Sequence, residues 1–575
     1  MKRIALASTS LVFLAAASAA PAVGQSLIRL QGPGGRQSNV YARILHFTPD
    51  QRFALTLVDD GRVPGDANGL VDLAWYDLAT GVATLAVPGS PADDATWDAG
   101  LSANGRYVVF STAATNLGPL DTNGMPDAYR LDRVTGLVVR VSLGVGGIEP
   151  DLPSNSGTLG SGGTSDDGRF AVFTSEGSDL GLGANQGQQV YLRDLVNQTT
   201  ALVSVAVGGG PSDGWSDEPL ISADGRFVAF MSQSTDLIVG DTNGFQDVFI
   251  RDRQNSTTTR LNLGPGGVEA DADAYYGLDM SPDGRFVVFD SYATNLTPGL
   301  SGLNEIFLVD RLTGQLTLES LGGVGTPSDG NSYQPRISDD GRYIVFTSNA
   351  TTLDPSDLDS IDDAFVRDRA LSTTRLASVS TGGLAGQPAP NSAPYLEMVS
   401  ISSSGGLVGF ETNLQGLVAG DTNMVDAFVS DRTSTVQPIE SFCVAKVNSQ
   451  GCTPTITTAG EPHLGGTTDN FYLSAQAVRP NQPGILLWSH GANNQPFFGG
   501  TLCVSPPVNR TPGQSSGGSA TCSGTYSFHF SRAYMASKGL IAGTVLYSQY
   551  WSRDQGFPAP NNVGLTDGIR FTMAP

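Results

Sequence analysis

An acidic motif with the spacing of a metal-binding loop recurs five times along the chain. Its full form reads Asp-x-Asn-Gly-x-x-Asp, and two looser copies keep the oxygen-bearing side chains at similar intervals. The copies are Asp66, Asn68 and Asp72; Asp121, Asn123 and Asp127; Asp241, Asn243 and Asp247; Asp357, Asp359 and Asp363; and Asp421, Asn423 and Asp426. Such oxygens around a glycine turn resemble the first half of loops that wrap calcium, a hard cation that takes roughly six to eight oxygen ligands. The motif predicts Ca²⁺ as a bound ion.

The same residues have a second interpretation. Asp and Asn cap and bend tight turns through their own side chains, with no metal involved. The glutamate that closes a complete calcium loop with two oxygens is missing from these copies, so other oxygens would have to complete the coordination. Calcium ligands and turn-forming residues therefore stay open as alternatives for this motif.

Other patterns that indicate catalysis are scarce. His46 is the one histidine before residue 440, so the repeated part of the chain has no histidine cluster for metal or general-base chemistry. His463, His490 and His529 are scattered through the last part of the chain. A Gly-x-Ser-x-Gly nucleophile elbow in a strand-to-helix context is absent. We therefore expect no catalytic residues and no enzymatic activity.

The overall charge restricts the class of partner. The 575 residues include 55 Asp and Glu against 32 Lys and Arg, which gives a formal net charge of −23. The acids are spread through the chain rather than gathered in a tail, so phosphate backbones and anionic lipid surfaces would be repelled. We expect a protein or a glycan as the partner, and no nucleic acid.

The acidic motifs are set within a longer repeat of the form Ser-x-Asp-Gly-Arg-Phe-x-x-Phe, which occurs seven times with degenerate first and last copies. Its aligned arginines are Arg52, Arg106, Arg169, Arg226, Arg285 and Arg342, with Gly406 in the seventh place. Self-similarity at a long period is typical of repeat architectures. Within one repeat, short apolar runs such as 226–230 and 247–252 alternate with turns, which predicts a four-stranded antiparallel meander.

Seven sheets that are apolar on both faces can bury those faces by stacking radially around an axis. The repeats therefore predict a seven-bladed β-propeller over residues 25–440. Segment 26–35 matches the third predicted strand and the following turn of the fourth repeat, around Arg260, although no repeat precedes it. We expect this N-terminal segment to complete the last blade. The alternative is that residues 433–439 supply that strand.

The repeats also carry a family resemblance. The runs 281–289 (Ser-Pro-Asp-Gly-Arg-Phe-Val-Val-Phe) and 247–252 (Asp-Val-Phe-Ile-Arg-Asp) resemble the WD40-like propeller repeats of the TolB type found in exported bacterial proteins. The resemblance covers roughly residues 26–440. It implies a propeller that binds or scaffolds other proteins.

The N-terminus has the layout of a secretory signal peptide, which we place at residues 1–24. Lys2 and Arg3 precede an apolar run and then small residues. Beyond this segment no apolar stretch reaches the length needed to span a membrane. We therefore expect a periplasmic or secreted protein with no transmembrane segment after signal cleavage.

Residues 441–575 lack the repeat and consist of short strand-like runs between Gly and Pro, which predicts a smaller β-sandwich domain. The chain's four cysteines all lie here: Cys443, Cys452, Cys503 and Cys522. An even set in an exported chain predicts a disulfide-stapled domain. Short loop spans favour pairing Cys443 with Cys452 and Cys503 with Cys522.

The expected fold class is all-β, with a seven-bladed propeller followed by the disulfide-stapled sandwich. The expected function is that of an extracytoplasmic binding or scaffold protein that uses a propeller face for protein or glycan recognition, stabilised by calcium. The alternative is a carbohydrate-active enzyme with carboxylates on the propeller face. Acids that converge in one deep pocket would support the enzyme, whereas acids distributed around the rim would support binding or a structural metal.

Overall fold

The computed structural model describes residues 26–30, 42–58, 63, 66, 68–88, 91–118, 121–157, 159–183, 187–322, 325–379, 386, 396–418, 425–432, 440–442, 445–459, 462, 471–540, 544–559 and 561–572. These residues are almost all in strands and turns, which confirms the expected all-β class. They fall into two compact units, one within 25–434 and one within 435–575. The predicted signal peptide lies outside the described residues. In the described part, no helix is long and apolar enough to cross a membrane.

In its described residues, the first unit consists of short strands and a single-turn 3₁₀ helix at Val145–Gly147. Its strands are β1 (Ser26–Arg29), β2 (Ala42–Phe47), β3 (Phe53–Val58), β4 (Asp72–Asp77), β5 (Val82–Leu85), β6 (Thr96–Leu101), β7 (Tyr107–Thr112), β8 (Asp127–Asp132), β9 (Val138–Arg140), β10 (Ser154–Asn155), β11 (Leu159–Ser161), β12 (Phe170–Ser175), β13 (Gln189–Asp194), β14 (Thr199–Leu202), β15 (Ser216–Ile221), β16 (Phe227–Ser232), β17 (Asp247–Asp252), β18 (Thr257–Arg260), β19 (Leu263–Gly264), β20 (Val268–Glu269), β21 (Ala274–Met280), β22 (Phe286–Ser291), β23 (Glu305–Asp310), β24 (Gln315–Leu318), β25 (Ser332–Ile337), β26 (Tyr343–Ser348), β27 (Asp363–Asp368), β28 (Thr373–Leu376), β29 (Leu396–Ile401), β30 (Leu407–Thr412) and β31 (Asp426–Asp431).

These strands form seven repeated antiparallel sheets among the described residues. Blade 1 is β2–β5, blade 2 is β6–β9, blade 3 is β10 with β12–β14, blade 4 is β15–β18, blade 5 is β21–β24, blade 6 is β25–β28, and blade 7 is β29–β31 with β1. One irregularity occurs at blade 3, where β11 pairs in parallel with β6 of blade 2. Strands β19 and β20 form a small hairpin between blades 4 and 5.

The first strands of the seven blades surround one central cavity. In six blades the lining residues lie at or just beyond the carboxyl ends of the first strands, and blade 3 contributes Thr164, which forms a bridge with Ala171 of β12: His46, Ser102, Thr164, Ile221, Met280, Ile337 and Ile401. The circle is closed because β29 of blade 7 contacts β2 of blade 1. The predicted propeller is therefore confirmed, and the described residues place seven sheets around one axis.

The N-terminal strand completes blade 7, as expected. Strand β1 pairs antiparallel with β31, with Ser26 opposite Asp431 and Arg29 opposite Phe428. Its two buried leucines face different cores: Leu27 packs in the core shared with blade 6, and Leu30 packs in the core shared with blade 1. The strand thus ties the last blade to both neighbours. The alternative segment 433–439 lies outside the described residues.

The repeated Ser-x-Asp-Gly-Arg motif forms the turn between the first and second strands. In blade 5, Ser281 Oγ donates to Asp283 Oδ1 at 2.6 Å and accepts the Phe286 N–H at 2.9 Å. The Arg285 N–H also bonds Asp283, while its guanidinium makes two bonds, of 3.0 and 2.7 Å, to Asp310 at the end of the third strand. Each motif residue therefore has a structural role within its own blade.

The glycine of this turn makes the contact with the preceding blade. Gly284 has φ of +68°, and a Cβ placed on it would lie 2.9 Å from Cδ2 of Phe227. The guanidinium of Arg311 covers the same ring at 3.8 Å from its centroid, a cation–π contact. The same pairing recurs as Gly168 with Tyr107, Gly225 with Phe170, Gly341 with Phe286, and Gly405 with Tyr343. Only glycine fits, because the conformation and the ring both exclude a side chain.

The second unit consists of β32 (Glu440–Phe442), β33 (Thr455–Ala459), β34 (Tyr472–Val478), β35 (Pro483–Ser489), β36 (Ala492–Phe497), β37 (Gly500–Val504), β38 (Asn509–Arg510), β39 (Gln514–Ser515), β40 (Gly524–His529), α1 (Arg532–Ser537), β41 (Val545–Arg553), β42 (Val563–Leu565) and β43 (Gly568–Thr572). One sheet runs β32-β43-β41-β35-β38, with β39 on β35 and β42 on β41, and a smaller sheet runs β33-β34-β40. Trp488, Tyr550 and Phe571 of the larger sheet share one core with Leu473 and Tyr526 of the smaller. Strands β36 and β37 form a separate hairpin, and the two larger sheets of the described residues share this core.

The predicted disulfide pairing is wrong. Cys452 is bonded to Cys522, with Cα atoms 6.1 Å apart although 70 residues separate them in the chain. Cys503 is bonded as well, so neither the Cys443–Cys452 nor the Cys503–Cys522 pair forms; Cys443 lies outside the described residues. The turn before Cys452 lies against the turn that holds Cys522, whose N–H bonds Gln450 Oε1 at 3.1 Å. Spatial proximity, rather than the shortest loop, selects the partner.

Substitution of a glycine that contacts the aromatic ring of the preceding blade should destabilise the propeller far more than substitution of an exposed glycine with the same backbone conformation. Gly341 and Gly314 both have φ of +71°, but a Cβ on Gly341 would lie 2.2 Å from Phe286 while Gly314 has nothing within 4 Å. Gly314→Ala should cost about 1 kcal/mol from the conformation alone, and Gly341→Ala a further ~1–3 kcal/mol from the clash. Denaturant unfolding of both variants measures the difference. Equal free energies of unfolding would show that the glycine–aromatic contact does not stabilise the propeller.

Deletion of residues 26–35 should lower the melting temperature sharply, because it removes β1 and exposes the edge of β31. Loss of the buried Leu27 and Leu30 alone should cost roughly 4 kcal/mol. A synthetic peptide of residues 26–35 added in excess should restore part of the loss. A truncated protein that melts at the same temperature as the intact one would show that β1 does not hold the ring closed.

Candidate functional site

The acidic motifs lie at equivalent places in their blades. Asp72, Asp127, Asp247, Asp363 and Asp426 are the first residues of β4, β8, β17, β27 and β31, each the third strand of its blade. In an antiparallel meander the loops that precede third strands all emerge at the same end. We call this end the acidic face, and the opposite end, which carries the Ser-x-Asp-Gly-Arg turns, the turn face. Asp421 and Asn423 lie outside the described residues.

In blade 4 an arginine occupies the centre of the acidic motif. Arg260, on the fourth strand, contacts Asp241 at 3.0 Å, Asp247 at 2.7 Å and Glu269 at 2.6 Å. Asn243 donates its amide to Asp247 at 3.1 Å. Burial raises the pKa of Asp247, whereas hydrogen bonds from Thr242, followed by Arg260, lower the pKa of Glu269 to about 2. The guanidinium thus compensates a buried group of carboxylates.

Arginines take the same place in blades 2 and 7. Arg140 contacts Asp127 at 3.2 Å, Asp121 at 4.0 Å, and Glu149. In blade 7 the arginine is Arg29 of the N-terminal strand, 3.9 Å from Asp426. The cross-strand register shows the equivalence: Tyr129 lies opposite Arg140, Phe249 opposite Arg260, and Phe428 opposite Arg29. The N-terminal strand β1 therefore supplies blade 7 with a charge partner as well as with its fourth strand.

The other four blades have leucine at the arginine position: Leu85, Leu202, Leu318 and Leu376. Two of them also lack the aspartate that opens the third strand. Blade 3 has Gln189, which accepts hydrogen bonds from Ser204 and Ser212. Blade 5 has Glu305, whose pKa burial raises to about 7, so that it takes up a proton near neutrality. Each solution removes a buried negative charge.

Blades 1 and 6 combine the leucine with an acidic motif. In blade 1, Asp72 accepts the Asn68 amide at 2.7 Å and the Ala92 N–H at 3.2 Å. In blade 6 the asparagine is replaced by Asp359, which joins Asp357 and Asp363. Burial raises the pKa of Asp357 to about 6 and that of Asp363 well above its usual range.

Two groups of described carboxylates are close enough to hold a metal ion, with ligand oxygens within 4.8 Å of one another. One is Asp121, Asp127 and Glu149, the group that Arg140 contacts. The other is Asp357, Asp359 and Asp363. Acidic groups on this face could therefore hold a metal ion. The sequence signal that separates the two groups is the residue on the fourth strand, arginine in one blade and leucine in the other.

The acidic face also carries the exposed aromatic side chains of the described propeller. They are Trp97 (37% exposed), Trp215 (48%), Phe245 (36%) and Tyr275 (41%). Trp97 and Tyr275 lie near the start of first strands, Trp215 immediately precedes one, and Phe245 lies in the loop before β17. Exposed aromatics of this kind offer flat apolar surface with a polar edge, which suits recognition.

The central cavity lies at the turn-face ends of the first strands, and two carboxylates, Asp279 and Asp339, line it. Asp279 is 2% exposed, and its oxygens accept the Met280 and Ile337 N–H groups at 2.9 Å each. Burial, followed by the nearby Asp279, raises the pKa of Asp339 to about 6. His46, also at this cavity, has a pKa lowered by burial to about 4. Because Asp279 is buried and bound to the main chain, these two acids do not form an accessible catalytic pair.

No protein-family model matches the chain, and no curated protein matches it. Solved structures of propeller proteins are similar at low identity. An oligogalacturonate lyase in complex with manganese is 13% identical over 72% of this chain and 98% of its own, with a TM-score of 0.43. A putative TolB from Agrobacterium tumefaciens is 19% identical over 49% and 82% of the two chains, with a TM-score of 0.32.

The β-propeller domain of the Trilobed protease from Pyrococcus furiosus is 10% identical over 68% of this chain and 93% of its own, with a TM-score of 0.40. These proteins are similar to the chain in fold alone. The propeller itself is established by the seven repeated sheets of the described residues and by the cavity that all of them line.

Glu305 should make stability pH-dependent, with a sign opposite to that of ordinary salt-bridged acids. Its pKa rises from 4.5 to about 7 on folding. The folded state therefore holds the proton more tightly, so stability should fall as pH rises from about 4.5 to 7, by roughly 3 kcal/mol. Glu305→Gln, which imitates Gln189 of blade 3, should remove this fall. The free energy of unfolding, measured from pH 4 to 8, tests this prediction. Asp94→Asn, a change at an exposed carboxylate, is the control and should keep the wild-type pH dependence. If Glu305→Gln also keeps it, Glu305 is not its source.

Proposed function

We propose that this protein is a binding or scaffold propeller that acts outside the cytoplasm and recognises a protein or a glycan with its acidic face. The observation that carries the proposal is the placement of its exposed aromatics. Trp97, Trp215, Phe245 and Tyr275 come from blades 2, 4 and 5, yet all belong to the acidic face. Aromatic anchors beside hydrogen-bonding carboxylates are typical of surfaces that bind sugars or protein segments.

The arrangement of the carboxylates favours binding over catalysis. Catalysis by paired acids needs two accessible carboxyl groups at one place. The acidic motifs are instead distributed one to a blade, and in blades 2, 4 and 7 an arginine of the same blade compensates them. Acids that are repeated and compensated in this way serve the fold of each blade.

The net charge and the cysteines support the proposed location and partner class. With a net charge of −23, the surface favours neutral or basic partners over polyanions. The Cys452–Cys522 disulfide fits an oxidising compartment, the periplasm or the exterior. A metal ion, with calcium as our candidate, would stabilise the acidic face and take no part in chemistry.

The test compares the mature protein with variants of each face on a glycan microarray and in pull-downs from the envelope fraction of the source cells. Trp97→Ala with Trp215→Ala should abolish binding of the ligand that the wild type retains. Val134→Ala with Leu312→Ala, two changes at exposed apolar residues of the turn face, should leave it intact. Equal binding by both double variants would refute the acidic face as the recognition surface. Cleavage of a bound glycan would establish the enzyme instead.

A further inference from the structure

We propose that blade 6 holds one divalent cation, calcium by its ligand set, between Asp357, Asp359 and Asp363, and that this is the one acidic motif of the described blades that requires a metal. The inference rests on the calcium part of the proposed function and narrows it from five motifs to one. It does not depend on what the acidic face recognises.

The first observation is the residue that stands where other blades place an arginine. Leu376 lies opposite Phe365, as Arg260 lies opposite Phe249 in blade 4. The Leu376 side chain is 3% exposed and packs in the apolar core with Leu353 and Phe365. An aliphatic side chain cannot compensate charge, so the carboxylates of blade 6 have lost the internal cation that blades 2 and 4 possess.

The second observation is the exchange of the motif's neutral residue for an acid. Blade 4 has Asn243 in the middle of the motif, and its amide donates to Asp247. Blade 6 has Asp359 at that place, and a carboxylate donates nothing when ionised. Two substitutions relative to blade 4 thus act in the same direction: one removes a positive charge and the other adds a negative charge.

The third observation is that carboxylate oxygens in the group are buried without a hydrogen-bond partner. Asp363 is 0% exposed; one oxygen accepts Ser378 Oγ, and Oδ2 is buried and has no partner. Asp357 is 3% exposed; Oδ1 accepts the Asp359 N–H at 3.2 Å, and Oδ2 is likewise buried and unpartnered. In the ionised form, buried carboxylate oxygens without a partner are strongly unfavourable unless a cation binds them.

The group is compact enough to hold one divalent cation. The ligand oxygens of the three aspartates lie within 4.8 Å of one another. Calcium–oxygen distances are about 2.4 Å, so two oxygens on opposite sides of one calcium ion are about 4.8 Å apart. The group consists only of hard oxygen ligands, and main-chain carbonyls and water would complete the coordination.

Among the described residues, the adjacent basic side chain does not reach the group. Arg375 is 46% exposed at its side chain and reaches Asp354 at 3.9 Å. Blade 1 also has a leucine at the arginine position, Leu85, but its motif contains Asn68, whose amide donates to Asp72, so the motif has two carboxylates instead of three. The combination of three carboxylates with no arginine distinguishes blade 6 from the other acidic blades of the described residues.

The experiment uses the metal-free mature protein, titrated with Ca²⁺ or Mg²⁺ by calorimetry and melted in calcium or in excess chelator. The wild type should bind one Ca²⁺ per chain, more tightly than Mg²⁺, and melt at a higher temperature with calcium. Leu376→Arg, which installs the arginine of blade 4, should abolish calcium binding and make melting independent of chelator. Asp359→Asn is a milder change that should weaken calcium binding at least tenfold. It provides the test of the site if Leu376→Arg does not fold.

Matched changes in other blades identify the site. Asp241→Asn, in the arginine-filled motif of blade 4, and Asp72→Asn, in blade 1, should leave the number of bound Ca²⁺ ions at one. If calcium stabilises the protein but Asp72→Asn removes that effect while Asp359→Asn does not, the proposed stabilisation stands and the assignment to blade 6 is overturned. If calcium and chelator give the same melting curve for the wild type, both are overturned, and the aspartates only shape turns.

Discussion

The glycine–aromatic contact between neighbouring blades is the interaction on which the rest of the propeller depends. Each blade is a thin sheet with apolar side chains on both faces, and it cannot bury them alone. Gly284 allows the turn of blade 5 to lie directly on the Phe227 ring of blade 4. The guanidinium of Arg311 lies over the same ring. Because this contact recurs from blade to blade, it sets the spacing at which the sheets can close into a ring.

Closing the ring creates an electrostatic problem at the acidic face. The residue that opens each third strand is polar and buried, and five of the seven blades place an aspartate there. The blades solve the problem differently. Arg29, Arg140 and Arg260 compensate the charge, Gln189 avoids it, and Glu305 takes up a proton. In blade 6 the structure places three carboxylates together with no arginine beside them, and this is the group that we propose to hold a cation.

The different ways in which the blades compensate their buried carboxylates also bear on function. Catalysis by paired acids needs one set of accessible carboxyl groups, whereas the acidic motifs here are repeated, and in blades 2, 4 and 7 an arginine compensates them. Trp215 and Tyr275 remain 48% and 41% exposed on this face, although Tyr275 also packs against Tyr292. Exposed aromatics of this kind support the recognition role proposed for the acidic face.

The sequence by itself determined the repeat, the strands, the closing segment and the common face of the acidic motifs. These depend on local signals: apolar periodicity, the Ser-x-Asp-Gly-Arg turn, and the match of 26–35 to the strand around Arg260. Only the tertiary structure decided which group compensates each carboxylate, because that follows from cross-strand register. The partner of Asp426 is Arg29, at the other end of the propeller sequence. Proximity in space likewise joined Cys452 to Cys522, where loop length favoured other pairs.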